Sequence, residues 1–531
     1  MPSPSVQRSP SQIAAPTRFE VLPVLSVAAA IALLHLFTNG RYGFHRDELQ
    51  FLADARHLDW GFVAYPPLAP FLARVSLSIF GVSYYGLRLF SVAAQCAAIV
   101  VTSLMVCELG GSRWAQVTAA LAVAFSAIPL MQGTMFQYTS FDYLWWVLIA
   151  WLIIRLLRTQ NPRWWLAIGA AIGLGLLAKY SIVFYIAGIL AGVVFTPARQ
   201  YLKSVWFWAG AALALLIFLP NFVWLEHHDF ISYRFLQSIH QRDIAFGVTR
   251  DFLLGQILQC INLFAAPLAV IGLVSFLRDP RYRMLGWMYL VPLTLFFFSN
   301  GRDYYLAPAY PMLIAMGAVV AERWIGSASK VAAVGAKARQ RDKQRVDRRS
   351  RARLSVRAVE AVLFAGFALY AAWLCAIFVP LASRGPLRDF AIQHNFYMRE
   401  EFGWGELVRT VAAIRDSLPA EQQSSVGVLV GNYGEEGAIE MLGPAYHLPA
   451  PIGLMNSAWL RSYPTPPPTT LIVLGWQREI ADGAFTGCRL IAQRNGAGVQ
   501  NEESLHHPDI FVCGPPRLPW ADFWREYQTF G

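Results

Sequence analysis

Predominantly apolar stretches recur along this chain, at roughly 20–38, 84–106, 114–131, 140–157, 164–179, 181–196, 204–224, 252–277, 284–299, 304–324 and 359–380. A helix needs about 20 such residues to cross the hydrocarbon core of a bilayer. The pattern therefore predicts an α-helical polytopic membrane protein with about eleven transmembrane helices. Composition agrees, with 56% hydrophobic residues and only 15% charged. A disordered, fibrous or soluble multidomain chain is excluded. The fifth and sixth runs are short and parted only by Lys179-Tyr180. The first run has no small-residue cleavage site before Asn39-Gly40-Arg41-Tyr42, so it reads as a retained helix. Residues 1–17, polar and rich in Pro and Ser, read as a disordered cytoplasmic tail.

The net charge of +11 would fit a nucleic-acid binder until its location is read. Residues 330–357 alone carry a net +9. They fall in a basic stretch, 326–358, between the helical core (18–325) and the last apolar run (359–380). Cytoplasmic loops of membrane proteins concentrate Lys and Arg. Arg155, Arg158 and Arg163, then Arg199 and Lys203, then Arg278, Arg281 and Arg283 alternate with near-neutral loops in step with this stretch. The basic segment is thus read as a cytoplasmic loop beside the lipid bilayer, with no nucleic-acid partner. Residues 381–531 then lie on the extracytoplasmic side of the membrane. Their soluble composition predicts an α/β domain with strands at Val426–Val430 and Thr470–Leu474 and a helix near Trp404–Leu418. Cys488 and Cys513 lie in this exported part, where a disulfide is permitted.

The ionisable residues outside the membrane are few. Asp47 and Glu48 form an adjacent pair in the first outer loop. Neighbours on a helix point about 100° apart. One can accept a proton or face a substrate while the other caps a helix or binds an arginine. A solvated helix N-terminus, where acids are favoured, is the plain alternative. Tyr65-Pro66-Pro67-Leu68 then opens an amphipathic stretch over 68–80. Asp142, in FQYTSFDYLWW, begins an apolar helix, where an unpaired acid is costly. Lys179 can snorkel to the interface or meet an anionic lipid phosphate. Arg302 and Tyr305, in SNGRDYYLAPAYP, stand at the outer mouth of another helix, and the planar fork of arginine suits phosphate. His227, His228 and His240 have no zinc-motif spacing and read as structural or substrate-contacting. There is no Walker loop, dinucleotide fingerprint or G-x-S-x-G.

An Asp-Glu pair after the first helix, a PPL turn with an amphipathic helix, an Asp opening the fourth helix, an AK and an R-x-x-Y-L-x-P-x-Y-P element follow in order, with a soluble domain last. In this order the chain resembles the GT-C membrane glycosyltransferases of family 39 type, over about residues 18–325. That group includes protein O-mannosyltransferases and the lipid A aminoarabinose transferase. The resemblance implies transfer of a sugar from a polyprenyl-phosphate donor to a lipid, glycan or protein acceptor on the extracytoplasmic side of a bacterial inner membrane. It implies Asp47 as the base, Glu48 completing the pair and Asp142 as a second acid of the same cavity. It puts Lys179 and Arg302, with Tyr305, near the lipid phosphate and His240 in the cavity. No cofactor is certain; a divalent metal is allowed for. The aminoarabinose transferase has Glu-Lys before its proline turn, where this chain has Ala64-Tyr65, which leaves that lysine role and metal ligand open. The competing reading is a transporter or flippase of a polyprenyl-linked sugar lipid.

Overall fold

The computed structural model describes residues 15–337, 345–494 and 498–531, without the side chains of 326–360 and 363. The helical body contains α1 (Val21–Thr38), α2 (Arg46–Arg56), α3 (Leu68–Phe80), α4 (Tyr84–Glu108), α5 (Arg113–Ala124), α6 (Ala127–Thr134), α7 (Tyr138–Thr159) and α8 (Trp164–Leu176). It continues with α9 (Ile182–Phe195), α10 (Val205–His227), α11 (Ile231–Ala245), α12 (Phe252–Leu258), α13 (Ala266–Arg278), α14 (Arg283–Phe298), α15 (Tyr310–Lys337) and α16 (Arg345–Phe378). This is an integral membrane protein. Among the described residues five helices are long and apolar enough to cross a bilayer, or up to eight spans if each bent pair counts as one. The eleven apolar runs therefore do not become eleven straight spans. The run at 114–131 is α5 and α6, bent by 60°, and the run at 252–277 is bent by 95° after α12. Hydropathy cannot register such bends, because apolar side chains clothe both arms.

A bend inside a membrane frees backbone groups that must find partners in the protein. Here the two broken elements satisfy one another. Asn262, between α12 and α13, donates its side-chain amide to the Phe125 carbonyl at 2.9 Å and its backbone N–H to Ser126 Oγ at 3.0 Å. Ile128 N–H reaches the Gln259 carbonyl at 3.3 Å. Elsewhere small residues allow backbones to meet. A Cβ on Gly169 of α8 would collide with the backbone of Gly210 in α10, and one on Gly272 of α13 with the Leu313 carbonyl of α15.

The expected tail, 1–17, falls almost wholly outside the described residues. The basic stretch expected as a loop is helical at its described ends, with α15 running to Lys337 and α16 starting at Arg345. Its Ala, Arg and Lys residues are good helix formers.

After α17 (Pro386–His394), α18 (Trp404–Ser417) and α19 (Ala420–Gln423) comes a five-stranded sheet with α20 (Tyr433–Leu442) following its first strand. The strands are β1 (Val426–Val430), β2 (Pro451–Gly453), β3 (Thr470–Leu474), β4 (Arg489–Gln493) and β5 (Asp509–Cys513), in the order β2-β1-β3-β5-β4. β1 is parallel to β2 and β3, and β5 is antiparallel to β3 and β4. The two apolar runs read as strands are β1 and β3, buried at every position, as unbroken apolar strands between two covered faces should be. Cys488 and Cys513 are disulfide-bonded. This domain is not merely tethered. Leu49, Phe51 and Leu52 of α2 share one hydrophobic cluster with Trp404, Val408, Val428 and Ile439.

Candidate active site

The N-terminus of α2 fixes the first acid pair. His45 caps it: its Nδ1 accepts the Asp47 N–H at 3.1 Å, while Glu48 reaches back to the His45 N–H at 2.8 Å. Burial pulls the His45 imidazole below its ordinary pKa, so the ring stays neutral and able to accept. From here the two carboxylates diverge. Glu48 is fully buried, and Arg88 of α4 grips both its oxygens, Nε to Oε1 at 2.8 Å and Nη2 to Oε2 at 2.7 Å. The Phe136 N–H adds a fourth bond to this carboxylate, at 2.7 Å. Arg88 also donates to the carbonyls of Asn39 and Gly43 and to Glu401 at 2.9 Å. Glu48 therefore holds the outer loop to α4 and does not line the cavity, in contrast to the sequence expectation. Asp47, with a side chain 28% exposed, does line it. Gln137 donates to its Oδ2, and the Tyr433 hydroxyl donates to its Oδ1 at 3.2 Å.

Lys179 sits in the break between α8 and α9, 7% exposed, with its ammonium over the rings of Tyr305 (4.1 Å), Tyr304 (5.0 Å) and Tyr138 (5.4 Å). Such a cage holds a cation by its ring quadrupoles. Asp142 lies behind it, 4.0 Å from the ammonium, with its other oxygen accepting from Trp146 Nε1 at 3.0 Å. Asp142 thus meets the cavity through Lys179 and not as a lining acid, which differs from the sequence expectation. Its burial is compensated by a cation and an indole donor, as an acid in an apolar helix requires.

Arg302, ahead of the turn Asp303–Ala309, makes a two-pronged contact with Asp243 of α11, Nε to Oδ2 at 2.6 Å and Nη2 to Oδ1 at 2.8 Å. This leaves Nη1 of its fork directed elsewhere than Asp243. His240 is exposed on the same helix.

These residues surround one cavity of about 490 Å³ between the helical body and the sheet domain. Asp47, Lys179, His240, Asp243, Arg302 and Tyr305 line it, with Tyr65, Arg242 and Tyr433 among the other polar residues of its wall. Three cations thus face two acids, one of which is held by Arg302. Such a cavity suits an anionic group beside a hydroxyl. Burial and the neighbouring Asp47 hold the Tyr433 phenol well above its usual range, so it stays protonated and donates.

Sequence reasoning brings Asp47, Lys179, Arg302, Tyr305 and His240 to one cavity. It missed Asp243, Gln137 and Tyr433. Asp243 follows His240 in SIHQRD and Gln137 is the second residue of FQYTSFDY, but only the fold shows what they face. For the allowed metal the residues present do not fit. Ala64, where the glutamate ligand would be sought, has no donor atom in its side chain, and among the described residues no group of three His, Cys, Asp or Glu is arranged to hold an ion.

Comparison with known proteins places this architecture. A family model described as dolichyl-phosphate-mannose-protein mannosyltransferase matches residues 64–224. The lipid A galacturonosyltransferase RgtD of Rhizobium johnstonii is 26% identical over 253 residues, which is 46% of this chain and 53% of that protein. The chain thus matches about half the length of this curated relative. Crystal structures of ArnT from Cupriavidus metallidurans superpose on 92% of this chain and 97% of theirs. The apo form gives a TM-score of 0.55 at 13% identity, and the form bound to undecaprenyl phosphate gives 0.53 at 16%.

Proposed function

From a chain with the GT-C fold of ArnT-type membrane enzymes, we propose a glycosyltransferase that takes a sugar from a polyprenyl-phosphate donor and passes it to an acceptor hydroxyl on the extracytoplasmic side of a bacterial inner membrane. The observation that carries this reading is the cavity itself, which Asp47 lines together with Lys179 and Arg302. The acceptor oxygen attacks the anomeric carbon as its proton passes to Asp47. The bond from that carbon to the phosphate oxygen breaks, and the polyprenyl phosphate leaves with the electron pair. The charge developing on the phosphate meets Lys179 and the free prong of Arg302, which need no reorganisation because tyrosines and Asp243 already hold them. A base and a phosphate site on opposite sides of the sugar invert the anomeric centre. The bound undecaprenyl phosphate named for ArnT supports the donor class, and the lipid A named for RgtD favours a lipid-borne glycan among the acceptors.

The test is transfer by the purified full-length protein in proteoliposomes given a polyprenyl-phosphate sugar and envelope glycolipid. Covalent sugar transfer with release of polyprenyl phosphate is expected. Movement of the sugar lipid across the bilayer without transfer would instead establish a flippase.

A further inference from the structure

We infer that Tyr433 is a positioning residue for Asp47, so that the C-terminal sheet domain supplies part of the reaction centre. The inference rests on the reading of Asp47 as the base. Each carboxylate oxygen of Asp47 has one uncharged hydrogen-bond donor, Gln137 on Oδ2 from the helical body and Tyr433 on Oδ1 from the sheet domain, while the Arg46 guanidinium stands 3.9 Å from Oδ1 and His45 Nδ1 3.9 Å from Oδ2. Two donors on opposite oxygens fix a side chain whose last torsion is otherwise broad. Each oxygen keeps a lone pair for an acceptor proton.

The position of the phenol is itself determined. Tyr433 is the first residue of α20, whose N-cap Asn432 accepts from the N–H groups of Gly434 at 2.9 Å and Glu435 at 3.0 Å. This turn follows the carboxyl end of β1, beside the point where the connections out of the parallel strands diverge, which is where open sheets place functional loops. α20 then lies directly on α2. A Cβ on Gly437 would collide with the backbone of Leu49, so the spacing between these helices is set by the missing side chain. Arg46 packs its guanidinium over the Tyr433 ring at 5.4 Å and is held in turn by Glu502, with Glu503 at 3.7 Å and Glu400 at 3.8 Å. The ring is clamped, and Tyr433 lines the cavity with its hydroxyl on Asp47.

Tyr433→Phe keeps the ring and the Arg46 contact and removes only the donor. In the reconstituted full-length protein kcat should fall about tenfold, because the Asp47 carboxylate loses one of the two donors that hold it aimed at the acceptor. The KM for donor and acceptor and the Tm should stay close to those of the parent. 3-Fluorotyrosine at 433, a stronger donor of nearly the same shape, should move the acid limb of the kcat profile to lower pH. Unchanged kcat in Tyr433→Phe, a loss seen only through KM or Tm, or an unmoved acid limb with fluorotyrosine would overturn the inference. Asp47→Asn separates the two claims. If it is inactive while Tyr433→Phe is fully active, the positioning role alone fails; if it turns over normally, the base assignment fails with it.

Discussion

Successive helical residues point about 100° apart, and at the start of α2 this turn sends Glu48 inward to Arg88 and Asp47 outward to the cavity. The same logic governs the cations. Arg88, wholly buried, has its fork filled by Glu48, Glu401 and two carbonyls, so it can only hold structure. Lys179 is caged by rings and leaves its ammonium beside open space. A hydrogen bond to a charged partner contributes about 1.5–3 kcal/mol, so Lys179→Ala should raise the donor KM about tenfold or more. The acceptor KM should change little, and initial rates over both substrate concentrations would check this. A larger effect on the acceptor would remove Lys179 from the phosphate. The division of labour between Asp47 and Glu48 was legible in the sequence as two alternatives. The partners that decide it were not, because Arg88, Gln137 and Glu401 lie 40 to 353 positions from the pair and nothing local announces them.

At the scale of elements, apolar length located the helices of the body but not their breaks. The bends after α5 and α12 depend on Asn262 meeting Phe125 and Ser126, a pairing between segments far apart in sequence. The sheet domain was more readable, since β1 and β3 are short unbroken apolar runs flanked by turn residues. Its docking was not. That depends on the α2–α20 contact, where Gly437 permits a close approach. Gly437→Val should force α20 away from α2, shift Tyr433 from Asp47 and lower kcat at least tenfold while leaving the membrane-embedded body folded. Activity assays beside limited proteolysis of the sheet domain would check it; parent-like activity would mean that the contact does not control the site.

For the whole molecule, buried carboxyls lie along the junction between membrane body and sheet domain. Glu400, Glu401, Glu435 and Glu436 are each pushed up to about 7, with burial the largest cause. In the unfolded chain such groups release their protons near about 4.3. Between these values the folded protein holds more protons than the unfolded one, so stability contributed by these groups falls as pH rises through that window. Tm measured in detergent should therefore decline from pH 5 to pH 8, and Glu435→Gln should flatten the decline. A Tm that rises over this range, with the same slope in the variant, would contradict the assignment.

The central claim concerns the charge that faces the acceptor. Most of the net +11 falls in one basic stretch of the sequence, whereas chemistry is ascribed to one partly exposed carboxylate. The most direct measurement is sugar transfer by Asp47→Asn in proteoliposomes, with donor-lipid binding measured on the same preparation. Binding within about twofold of the parent and a rate reduced at least a thousandfold, about 4 kcal/mol, is the predicted result. Near-normal turnover would contradict the account.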